Sequence, residues 1–150
     1  MDRPTEQIEY ETMLLGRHSH LVAEPVERDD RLERSGYILL SRVRVDGPMT
    51  IRQLSDAFGL DPSTLNRQTS ALMRAGLLER IPDPDGGIAR KFRITAVGER
   101  RLDEHRDDII TGLDKVMAGW SGDDIAAFAG FLRRFNTDIE HLTGRPWPRP

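Results

Sequence analysis

A mainly α-helical fold carrying one small β-hairpin wing is what the sequence predicts, on three observations. Apolar residues recur at helical spacing over most of the chain. Two short capped helices follow one another across a single glycine turn between Met49 and Gly76. Only the stretch from Leu77 to Thr95 alternates as strands do, around a break rich in proline and glycine. The 150 residues suit one folding unit with an ordinary core. Cysteine is absent, which excludes disulfides, thiolate metal sites and cysteine-based sensing. No secretory stretch opens the chain and no window is apolar enough to span a bilayer, so a cytoplasmic protein without a membrane partner is expected.

The first helix is expected over residues 5–23, with Ile8, Thr12, Leu15 and Val22 on one stripe and Met13, Leu14 and Leu21 beside it. That apolar surface is wider than one packing partner requires. Pro25 ends the helix, and the acidic run Glu27-Arg28-Asp29-Asp30 suits the start of the next, where the macrodipole favours negative charge. Leu32, Leu39, Leu40 and Val43 then mark a buried helix closing at Asp46-Gly47.

Thr50 with Gln53 forms a capping-box pattern that starts a short helix at Ile51. Ile51, Leu54 and Phe58 recur on its inner side, and Gly59 stands where a left-handed residue closes the helix. Asp61 as N-cap and Pro62 at the first helical position begin another helix at once. Here Leu65, Thr69, Leu72 and Met73 fall on one side. Ser63, Asn66, Arg67, Ser70 and Arg74 fall on the other, with Thr64 and Gln68 along the border. Asn and Gln can read adenine, Arg guanine, and small hydroxyls either, in a major groove wide enough for a helix. The competing reading is a merely solvated face, which would favour Glu and Lys over Ser, Thr and Asn.

After Gly76, Leu77 to Ile81 and Ala89 to Thr95 read as two strands joined across Pro82-Asp83-Pro84-Asp85-Gly86-Gly87. Phe92 and Ile94 alternate with Lys91 and Arg93, predicting a hairpin with a basic outer side, and Asp83 and Asp85 are read as turn formers. From Asp61 to Arg101, eight Arg and Lys face five Asp and Glu, a surplus of three, so the remainder of this chain of net charge −3 carries −6. The helix and hairpin are thus where phosphate would be attracted. Helix, turn, helix and hairpin in this order make a winged helix-turn-helix core.

Beyond Thr95 a long helix is expected towards Ala118, carrying Leu102, Ile109, Leu113, Val116, Met117 and Trp120. Ser121, Asp123 and Asp124 start a last helix with Ile125, Phe128, Phe131, Leu132, Phe135, Ile139 and Leu142 on its stripe, ending at Gly144 before a proline-rich tail.

The segments Gly47-Pro48-Met49-Thr50-Ile51, Gly59-Leu60-Asp61-Pro62-Ser63-Thr64-Leu65, Gly76-Leu77-Leu78-Glu79-Arg80, Asp83-Pro84-Asp85 and Arg93-Ile94-Thr95 resemble the MarR family of bacterial transcription regulators. The resemblance extends over nearly the whole chain. It implies one domain over 1–150, with a DNA-binding core over about 30–98 and dimerisation helices over about 5–23 and 99–143. It implies a homodimer on double-stranded DNA at a pseudo-palindromic operator, most simply a repressor released by a small aromatic or anionic effector. The expected DNA contacts are Ser63, Thr64, Asn66, Arg67, Gln68, Ser70 and Arg74 on the helix and Arg90, Lys91 and Arg93 on the wing. Gly86, Gly87 and Ile88 stand where the family usually carries an acidic residue and two arginines, and Arg90 is the cation nearest the tip. The family's ligand cleft would place Tyr10, His18, Tyr37 and Arg42 as lining residues, or else as interface hydrogen bonders.

No enzyme chemistry emerges, and neither a cofactor nor a metal is expected. His18 and His20 are two apart, so on a helix they point away from each other. The altered wing tip leaves an alternative open: a winged-helix ligand-binding or protein-interaction module with weakened DNA contact.

Overall fold

The computed structural model describes residues 3–18 and 32–150. Six helices and one two-stranded antiparallel sheet appear among them: α1 (Pro4–His18), α2 (Arg34–Asp46), α3 (Ile51–Phe58), α4 (Pro62–Arg74), β1 (Leu78–Ile81), β2 (Lys91–Ile94), α5 (Ala96–Val116) and α6 (Gly122–Thr143). The continuation of the first helix to Ala23, with Leu21 and Val22, lies outside the described residues. So do His20 and the acidic run from Glu27 to Asp30.

The capping box forms as the residues dictate: Thr50 Oγ1 accepts from the Gln53 amide at 3.1 Å and Gln53 Oε1 from the Thr50 amide at 2.9 Å. Gly59 adopts φ +64° and closes α3, a conformation that side chains with a Cβ resist. One cap differs from expectation. Asp61 occupies the N-cap position of α4, but its side chain accepts no hydrogen bond. Pro62 supplies the preset φ at the first turn, and the Asp61 carbonyl takes the amides of Thr64 and Leu65 at 3.0 and 3.2 Å. Ser121 caps α6 through the Asp124 amide at 3.1 Å, and Gly144 ends it with φ +67°.

The core gathers Leu39, Leu40 and Val43 from α2, Leu54 from α3, Leu65 and Leu72 from α4, Leu77 and Leu78 beside and in β1, Phe92 from β2 and Leu102 from α5. Burying these side chains stabilises the fold by about 1.5–3 kcal/mol each before chain entropy is charged against it. Thr69, inside this shell, is buried with its hydroxyl satisfied by the Leu65 carbonyl at 2.8 Å. The strands pair Leu78 with Ile94, Glu79 with Arg93, Arg80 with Phe92 and Ile81 with Lys91. Met49 adds a further bridge, exchanging backbone hydrogen bonds with Phe92 at 3.1 and 2.8 Å. The residue just ahead of the capping box is therefore tied to the wing.

Thr95 is the hinge between wing and α5. Its amide donates to the Leu77 carbonyl at 3.1 Å, its hydroxyl donates to the Gly76 carbonyl at 2.7 Å, and the same oxygen accepts the Gly98 amide at 3.0 Å. The outer helices are different in kind: neither α1 nor α6 has a buried residue, and no helix among the described residues is long and apolar enough to cross a membrane.

Candidate nucleic-acid interface

The packing of α4 decides which of its residues are available. Leu65, Thr69 and Leu72 turn inward, so Ser63, Asn66, Arg67 and Arg74 are left exposed, with Thr64, Gln68 and Ser70 half-buried along the border. The face read from the sequence as polar is thus the solvent face of a helix held on its other side by the core. Arg67 is the reach of this face; its Nη2 lies 3.4 Å from Thr64 Oγ1, a long contact that leaves the guanidinium free to turn outward.

The wing is less openly basic than its sequence suggests. Arg93 donates from Nε to Glu79 Oε1 at 2.7 Å, across the register that sets these two residues opposite each other. Lys91, expected on the solvent side, instead has a largely covered side chain, with Nζ 3.4 Å from Asp83 Oδ1. Either cation must share or surrender its carboxylate to reach a phosphate. Arg80 lies over the Phe92 ring, 5.5 Å from its centroid.

Asp83 organises the turn itself. Its Oδ1 accepts the Asp85 amide at 2.9 Å, and a Cβ on Gly87 would lie 2.1 Å from its Oδ2, so a side chain at 87 would force the Asp83 carboxylate to move from this position. The Asp85 amide, aided by Lys91 and the Gly87 amide against partial desolvation, holds the Asp83 carboxyl below its usual range. Beyond this turn Ile88 is fully exposed at 105 % and Arg90 is exposed without a hydrogen-bond or ion-pair partner among the described residues. Of the three wing cations named from the sequence, Arg90 is the one left uncommitted.

The four residues named for a ligand cleft are not brought together within the chain. Tyr10 and His18 stand exposed on α1. Tyr37 lines a cleft of about 700 Å³ with Arg44 of α2, Arg106 and Ile109 of α5, and Trp147 and Arg149 of the tail. Arg42 faces a different cleft, of about 500 Å³, with Pro48, Gln53, Lys91 and Arg145. Arg42 is buried because the tail covers it: Trp147 lies under its guanidinium, 4.7 Å from Cζ to the ring centroid, while Nε bonds Asp46 Oδ2 at 2.7 Å. The sequence reading missed Trp147 and Arg149. The available signal was a lone tryptophan among prolines, a large apolar ring that has to be covered by something.

An apolar face is left uncovered as well. Ile8, Met13 and Leu15 of α1 and Phe128, Phe131, Phe135 and Leu142 of α6 are 42–89 % exposed, and a groove lined by Ile8, Thr12, Phe128, Phe131 and Phe135 runs between the two helices.

With this geometry in hand, known proteins offer a comparison. The MarR family profile matches residues 32–86. An uncharacterized HTH-type transcriptional regulator, YxaD of Bacillus subtilis, is 33 % identical over 133 residues, covering 89 % of this chain and 93 % of that protein. Among solved structures, a MarR family protein from Bacillus stearothermophilus superposes with a TM-score of 0.72 at 20 % identity, covering 90 % of this chain and 91 % of the other. The PcaV transcriptional regulator of Streptomyces coelicolor, in complex with its natural ligand, gives 0.63 at 23 %, covering 90 % and 92 %.

Proposed function

The chain belongs to the MarR family of winged helix-turn-helix transcription regulators, and on that footing we propose that it is a sequence-specific, homodimeric repressor of transcription that releases a pseudo-palindromic operator when a small effector binds. The observation that carries the reading is α4: a helix anchored by Leu65, Thr69 and Leu72, whose free face offers Asn66, Arg67, Ser63 and Arg74 in a region of net positive charge. Ser63, Thr64, Asn66, Arg67, Gln68, Ser70 and Arg74 are proposed to enter the major groove. Arg90 is proposed to serve the wing, with Lys91 and Arg93 in supporting contact once their carboxylates let go.

Exposed apolar area on the outer helices supports the dimer. The apolar side chains of α1 and α6 are too many to leave in water, and a second copy supplies a self-complementary cover. Two recognition helices related by a two-fold axis then address half-sites about 10 base pairs apart. For the effector, the cleft beside Tyr37 combines an aromatic wall with Arg106, next to Arg44 and Arg149 that are paired with Asp103 and Glu140, which suits a small aromatic anion. PcaV, similar in fold, is itself a ligand-binding regulator.

The test is selection of binding sites from random DNA, followed by band shifts of the selected site over a salt series. Affinity should fall steeply and log-linearly with salt, as phosphate neutralisation requires. A flat salt response would favour a winged-helix interaction module instead, a reading to which the self-paired cations of the wing lend some weight.

A further inference from the structure

Neither helical periodicity nor strand alternation accounts for the last six residues, Arg145-Pro146-Trp147-Pro148-Arg149-Pro150. Alternate prolines restrict this segment to extended backbone, so it gives up little conformational freedom on docking. Gly144 turns it out of α6, and it doubles back against α2 and α3 as a strap.

Glu140 anchors it. One carboxylate oxygen accepts the Trp147 amide at 2.5 Å and Arg149 Nη1 at 3.0 Å, and the other accepts Arg149 Nη2 at 2.7 Å. At its near end the Arg145 guanidinium lies on Gly59, where a Cβ would come within 2.7 Å of Cζ. Between these points the Trp147 ring lies flat on Phe58, with centroids 5.5 Å apart and planes inclined by 13°, and meets the Arg42 guanidinium.

That arrangement leaves one group unsatisfied. Arg42 is 8 % exposed; its Nε is used by Asp46, but Nη1 is buried without a hydrogen-bond partner. The indole face attracts the cation yet offers no lone pair to an N–H. A buried donor of a charged group without an acceptor is costly. The site therefore has good surfaces for a flat ring and a buried cationic donor in need of an acceptor, and Trp147 meets only the first.

We propose that Trp147 is the built-in occupant of an aromatic-acid site formed by Phe58 and Arg42, and that a planar aromatic carboxylate displaces the strap by filling both requirements at once. The ligand's ring replaces the indole on Phe58, and its carboxylate takes the orphaned N–H of Arg42. Phe58 is the last residue of α3 and Gly59 its cap, so release of the strap strips a ring and a guanidinium from the helix on which α4 rests. This regulatory consequence rests on the DNA-binding reading above, whereas the occupancy of the slot does not.

The probe is 1-naphthoate, whose two fused rings match indole in size and whose carboxylate supplies the missing acceptor. Its binding to the full chain is measured by calorimetry. Trp147→Ala empties the slot and Glu140→Gln loosens the anchor without touching the slot. Both should bind naphthoate more tightly than the parent, by roughly tenfold or more if the docked strap dominates the free protein. Adding Arg42→Met to Trp147→Ala should abolish the gain. In a Trp120→Phe chain labelled with 5-fluorotryptophan, the single remaining 19F resonance reports Trp147 and should move towards the free amino-acid position as naphthoate is added.

A 19F resonance unmoved at saturating naphthoate, or variants that bind it no better than the parent, would overturn the proposal. Neither readout contains DNA. Their failure therefore removes the slot and leaves the regulator reading to the band shift, and failure of the band shift leaves the slot standing.

Discussion

Replacing Gly98 by alanine sets packing against helix propensity. Gly98 is a buried residue in the first turn of α5, and its amide caps onto Thr95. Propensity alone predicts that alanine there stabilises the helix by up to about 1 kcal/mol. A Cβ at this position, however, would lie 2.2 Å from the carbonyl oxygen of Leu77 and 2.9 Å from Cγ1 of Ile94. The Leu77 oxygen is backbone and is already held by the Thr95 amide, so it cannot swing aside as a side-chain tip could. Restoring an ordinary contact near 3.5 Å requires the first turn of α5 to retreat by about 1 Å. Overpacking of this kind costs about 1–3 kcal/mol, and loosening the Thr95 cap adds about 1 kcal/mol. After the propensity gain, the net loss is about 2 kcal/mol. For a chain of this length that lowers Tm by about 4–8 °C. The assay is thermal unfolding by circular dichroism at one fixed protein concentration, because association makes Tm concentration-dependent. Gly36→Ala should cost less, since the new methyl would meet only Cδ2 of Leu72 at 3.2 Å. A Gly98→Ala protein that melts at or above the parent temperature would refute the reasoning.

Removing the capping hydroxyl in Thr50→Ala should cost about 1 kcal/mol in urea unfolding, and a loss below a few tenths would show that Gln53 and water compensate. Glu79→Gln should release Arg93 towards DNA, raising affinity at low salt and steepening the salt slope by about one unit; an unchanged slope means that Arg93 does not reach phosphate. Arg67→Ala should cost about 1–3 kcal/mol and relax preference at one base of each half-site, while a uniform loss across sequences would assign Arg67 to phosphate. Docking of the strap should also depend on pH. The Arg149 guanidinium foremost, then the Trp147 amide and the nearby His141, hold the Glu140 carboxyl below its ordinary value of 4.5. Because the docked value is the depressed one, docking is at full strength above that pH and weakens as pH falls through the docked value. The Trp147 19F resonance should move only under acid conditions and should lose this dependence in Glu140→Gln; release on raising the pH would contradict the sign.

What the sequence determined by itself is what short-range chemistry controls. The capping box of Thr50 and Gln53, the left-handed Gly59 and Gly144, the buried stripe of α4 and the alternation around Phe92 each depend on residues a few positions apart. Intervals of three or four residues along a helix, and of two along a strand, settle them before any tertiary contact is made. The polar face of α4 was legible for the same reason: once Leu65, Thr69 and Leu72 turn inward, geometry assigns Asn66 and Arg67 outward.

Tertiary structure decided which charges remain free. Arg93 and Glu79 are fourteen residues apart, and only the register of the hairpin sets them side by side. Lys91 is covered because the turn swings Asp83 back onto it. Summed charge marked the wing as basic, but ion pairing is a property of distance in space, and pairing leaves Arg90 as the uncommitted cation. The tail is the extreme case. Nothing periodic in six residues with three prolines announces a partner, and its docking requires Glu140, Phe58 and Arg42 from three different helices to meet at one place. Such a meeting depends on the whole core being assembled first, which is why the sequence could signal that Trp147 needs a cover but not what covers it, and why Arg42 became the covered floor of a slot and Tyr37 the wall of a separate cleft.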